Sequence, residues 1–120
     1  MTQMMSFIKY EHQILPKFRE QLNQAESVED VKKFFIGTIQ QFLELATDGN
    51  ISADYEDILL VPDSKAGYSL NAQLANSKEM KEMENSDLTA VISRFAEQAV
   101  HRHKHLAKNN TKTNLKIKNH

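Results

Sequence analysis

Three histidines two residues apart follow a glutamate near the end of the chain: Glu97, His101, His103 and His105. In a helix these positions divide. With Leu88 set at zero, the apolar stripe of this segment centres near ~30°, and His103 falls inside it at ~60°. Glu97, His101 and His105 fall at roughly 180°, 220° and 260°, on the opposite face. The spacing Glu97-x3-His101-x3-His105 therefore puts three groups able to ligate a divalent metal on one side of one helix. It lacks the His-Glu-x-x-His order of a zinc protease, and a fourth ligand has to come from elsewhere. The blander reading is a polar, solvated helix face. His103, at the edge of the apolar stripe, reads as a core-edge histidine. Its place near the end of the last helix favours the cationic form.

Glu11 is the second residue with chemistry to offer. It lies among Phe7, Ile8, Leu15 and Phe18 in the apolar arc of the first helical segment. A carboxylate there is paired, neutral, or at the mouth of a cleft. If Glu11 met His103 across the helices, the two would form an acid–base pair. The alternatives are an Arg or Lys partner, or a kink at Pro16 that turns Glu11 outward.

Other chemistries are excluded by what is absent. With no cysteine, there is no disulfide, thiolate metal site or cysteine nucleophile. Gly37, Gly49 and Gly67 are too far apart for a phosphate loop, and no G-x-S-x-G elbow occurs. Paired Glu-x-x-His motifs of a di-iron bundle are missing too. No cofactor is expected. No apolar run approaches a membrane span, and no leader is legible at the N-terminus, so the expected compartment is the cytoplasm.

Charge is uneven. The net value is −1. No acid follows Glu97, while Arg102, Lys104, Lys108, Lys112, Lys116 and Lys118 do, which leaves an acidic body and a basic end. Six bases could contact phosphates, giving a nucleic-acid-associated regulator as one alternative. Against it, the end carries no aromatic residue to stack on bases, and the body repels a polyanion.

The elements that must position these residues follow from periodicity. Residues 4–25 read as helix, with a kink or break expected near Gln13 to Leu15 because Pro16 removes a hydrogen bond. Ser27 with Asp30 resembles a capping box opening a helix from Val28 to about Thr47. That helix is apolar over an arc of about 200°, so it is either central in the protomer or half of an oligomer interface. Asp48-Gly49-Asn50 ends it, with Gly49 suited to a left-handed cap. Residues 57–61 and 68–74 read as two strands around a turn-rich loop, Pro62 to Gly67. Residues 76–85 suit a short helix or an ordered loop. The last long helix is expected from Asp87 to about Lys108, capped by Ser86.

The fold class is therefore α+β, predominantly α: three main helices with one β-hairpin before the last long helix (α-α-β-β-α). Residues 1–108 form one domain by length, and residues 109–120 form a basic tail expected to be mobile. The leading functional expectation is a self-associating interaction module without catalysis, a dimer being the simplest closed form, with an unidentified protein partner as a further option. The alternative is a small-ligand or acid–base site lined by Glu11 and His103. Glu97, His101 and His105 are the metal candidates.

Overall fold

The computed structural model describes the backbone of residues 6–118 and the side chains of residues 6–108. Within that span the order is α1 (Ile8–Gln24), α2 (Val28–Ala46), a 3-10 turn (Tyr55–Asp57), β1 (Ile58–Leu60), β2 (Tyr68–Leu70), α3 (Ala72–Ala75), α4 (Lys78–Glu82) and α5 (Leu88–Lys118). This is the α-α-β-β-α arrangement, with two short helices added before the last.

Pro16 does not break α1, which runs through it without interruption. The reason is its side: Pro16 and His12, whose carbonyl loses its amide partner, are both exposed. Water can hydrate that carbonyl, while Ile14, Phe18 and Leu22 hold the opposite face in the core. The expected helical residue Met4 lies outside the described residues.

Ser27 opens α2 as its N-cap and accepts from the Asp30 amide at 3.1 Å. Asp30 answers by accepting from the Glu26 amide at 3.0 Å, one residue before the cap. The helix closes in a Schellman turn in which the Gly49 amide donates to the Glu44 carbonyl at 2.8 Å. The first left-handed residue of that turn is Asp48, at φ 52°, with Gly49 following at 83°. Gly49 takes the left-handed conformation expected of it, and Asp48 before it shares that conformation.

The wide apolar arc of α2 is accounted for within the chain. Val31, Phe35, Ile36, Ile39, Phe42 and Leu43 are all buried, with α1, α5 and β1 packed around them. The helix is central in the protomer, with Phe34 left half-buried at the margin of its arc. Phe95 of α5 joins the layers, its ring edge-on to Phe18 at 5.4 Å and to Phe42 at 5.8 Å.

The hairpin pairs Ile58 with Leu70, Leu59 with Ser69 and Leu60 with Tyr68, antiparallel. Ile58 and Leu60 face the core, and Leu59 faces out. The second strand is shorter than its alternation suggested. Asn71 makes the last cross-strand bond, its amide donating to the Asp57 carbonyl at 2.9 Å, and its side chain caps α3 by accepting from the Leu74 amide at 2.9 Å, so Ala72 and Leu74 belong to a helical turn. Gly67, at φ 83°, seats the hairpin loop on α5, where a Cβ would come within 3.2 Å of Val100. Residues 78–82 of the undecided 76–85 segment are helical, with Met80 buried.

α5 begins at Leu88, whose amide donates to Ser86 Oγ at 3.1 Å. Its backbone continues to Lys118 rather than stopping near Lys108. The side chains of the tail expected to be mobile, residues 109–120, lie outside the described residues.

Candidate functional site

The first and last helices pack side by side in parallel. The Asp87 carboxylate accepts from the Phe7 amide at 2.7 Å and from Ser6 Oγ at 2.9 Å. It thus sits at the positive N-terminal end of α1 while flanking the start of α5. Two turns on, Arg94 grips Glu11 with two charge-assisted bonds, Nε to Oε2 at 2.8 Å and Nη2 to Oε1 at 2.7 Å. Next, Arg19 Nε donates to Gln98 Oε1 at 3.2 Å. Last, Arg102 Nη2 donates to the carbonyls of Asn23 and Ala25 at the C-terminal end of α1, where a cation is favoured. Both sequences advance in the same direction, so α1 and α5 are parallel and held in register by polar side chains.

Glu11 is therefore paired, with its side chain 8% exposed against 45% for Arg94. Its bond raises the Arg94 pKa above the ordinary value and keeps the guanidinium charged. Arg94 escaped the sequence reading because the pairing depends on how two helices 80 residues apart align, which spacing alone does not encode.

The structure does not bring Glu11 and His103 together. His103 lies nine residues beyond Arg94 on α5, about 13 Å along the axis and half a revolution around it. Its charged neighbours are Lys32 and Glu29 of α2 and Asp63 of the hairpin loop. Burial, reinforced by Lys32, lowers its pKa. The cationic form expected from the helix end is thus disfavoured, because α5 continues well past His103 and leaves the dipole end behind.

Glu97, His101 and His105 do share a surface. All three line an open groove between α1 and α5 of about 790 Å³, together with Arg19 and Arg102. Successive members stand about 6 Å apart along the helix axis, so the outer two are about 12 Å apart and cannot reach one ion. Among the described residues no group of three His, Asp or Glu side chains is placed to hold a metal.

A second groove, of about 410 Å³, lies between α1 and α2. Ile14, Phe18 and Phe34 give it apolar walls, Gly37 and Thr38 lie along α2, and Tyr55 stands beside it. Lys17 and Lys33 line it too, and none of its lining residues is acidic. No sequence pattern marked this surface.

Among the described residues no helix is long and apolar enough to cross a membrane. Comparison with protein families, with curated proteins and with solved structures finds no match to this chain.

Proposed function

We propose that this chain is a small cytoplasmic interaction module, without catalysis, that self-associates through its hairpin. The observation that carries the reading is the hairpin's outer surface. Among the described residues the sheet has two strands only, so each strand has an edge with no strand beside it, and Leu59 stands 56% exposed on the outward face. Such an edge offers amides and carbonyls to a further strand. A second copy supplies the same edge, and antiparallel pairing about a two-fold axis closes the assembly as a dimer. The separation of Glu11 from His103 supports a non-catalytic role, since the acid–base pairing would need them in contact. Most of the arc of α2 is buried within the chain, so the hairpin bears the proposed dimer contact.

The test is sedimentation velocity of the full chain across the micromolar range, beside Leu59→Lys. The expected result is a dimer that becomes a monomer in the variant, the monomer staying folded because the side chain is outside the core and melting below the wild-type dimer only by the lost association. A wild-type chain that stays monomeric throughout that range removes the proposal.

A further inference from the structure

Gly37 is in the middle of α2, where glycine weakens a helix about two- to fivefold relative to alanine. Nothing among the described residues explains it. Gly37 is exposed, and nothing outside its own helix lies within 4 Å of a Cβ built there. Among the described residues neither a turn nor a close neighbour needs the missing side chain. What the glycine does is lower the wall of the α1–α2 groove, letting another backbone approach α2 closely.

The rest of the groove describes what would approach. Half-buried Phe34 and exposed Tyr55 offer aromatic surface for one bulky side chain, with Ile14 and Phe18 beneath them in the core. The Thr38 hydroxyl and the amides of Gln21 and Gln41 carry hydrogen-bonding capacity. Lys17 and Lys33 supply the charge, and no carboxylate lines the groove, in a chain with 16 acidic residues. A second copy docked symmetrically here would set these lysines against themselves. The groove spans residues 14–21 of α1, about 10 Å of helix, enough for two turns of a partner.

We infer that the α1–α2 groove docks a short acidic segment of another protein, with one apolar anchor seated beside Phe34 and Tyr55 and its backbone passing over Gly37. This surface is separate from the hairpin, so it stands or falls apart from the dimer.

The experiment is an amide NMR titration of the full chain with a synthetic helical peptide bearing leucines on one face flanked by glutamates. The same peptide with lysine in place of glutamate is the charge control. The expected result is saturable shifts confined to residues 14–21, 33–41 and 55, with the lysine peptide about tenfold weaker or worse. Gly37→Gln should abolish those shifts while leaving the melting temperature equal or higher, and Lys17→Glu with Lys33→Glu should reverse the charge preference. The inference is overturned by absent or scattered shifts, by equal affinity for both peptides, or by unchanged binding to Gly37→Gln. Concentration-dependent shifts at these residues without peptide would overturn it in favour of a second copy. Shifts at Leu59 and Ser69 alone would report the hairpin dimer and leave no peptide site in the groove.

Discussion

α1 has two flanks, and they are built on different principles. Toward α5 it is joined by a ladder of polar contacts, from Asp87 at its start to Arg102 at its end, with the Glu11–Arg94 pair between them. Toward α2, no side-chain hydrogen bond or ion pair joins the two helices among the described residues; that seam is apolar and opens at Gly37 into a groove. The polar flank fixes register, because charged forks and carbonyl caps accept few alternative alignments. The apolar flank holds by area, which is less particular about alignment and leaves room for an incoming chain. The polar groups of the first flank hold α1 against α5, and the surface proposed for recognition lies on the chemically quieter flank.

The largest effect is expected where the two flanks meet. Phe95→Ala removes the ring that touches both Phe18 and Phe42 and should cost about 3–5 kcal/mol by chemical denaturation. Next comes the polar flank by itself. Arg94→Leu strands the Glu11 carboxylate in a largely buried position and should cost about 2–3 kcal/mol, below the range for a fully buried pair because Arg94 is half in water. Adding Glu11→Leu should recover most of that loss, as expected of a pair that sets register and takes no part in chemistry. If the double variant is no better than the single, the ladder does more than align helices.

The quiet flank should respond with the opposite sign. Gly37→Ala is expected to stabilise the free protein by about 0.5–1 kcal/mol, since the site has helical dihedrals and open space for the methyl group. A destabilised variant would mean that glycine serves the fold, and the contrast between the flanks would be lost.

The smallest effect is in pH. Burial, with Lys32, holds the folded His103 pKa below its unfolded value of about 6.5, while Glu29 and Asp63 oppose the shift. The unfolded chain then takes up the proton first. Stability attributable to His103 is complete above pH ~6.5 and is lost as pH falls toward the lowered folded value. His103→Gln should flatten the fall of melting temperature across that window and leave it unaltered above neutrality.

Legibility followed the range of the interaction. Ser27, the change of period after Gly49, and the apolar stripes of α2 and α5 are local signals, and they gave three long helices and a hairpin. Pro16 misled because its cost depends on which face of α1 meets solvent, a tertiary fact. The alternation of Ala72 and Leu74 misled because the Asn71 side chain caps a helical turn where the ladder ends. Glu11 was recognisable as anomalous from its arc, but Arg94 as its partner was not. Gly37 was visible only as one glycine among three, since its significance is the space around it.

Whether this chain acts by association is read from native mass spectrometry of the untagged protein. A dimer with no retained mass, reduced to monomer by Leu59→Lys, is the predicted result. A monomer that carries a bound small molecule would contradict it and point instead to the open α1–α5 groove.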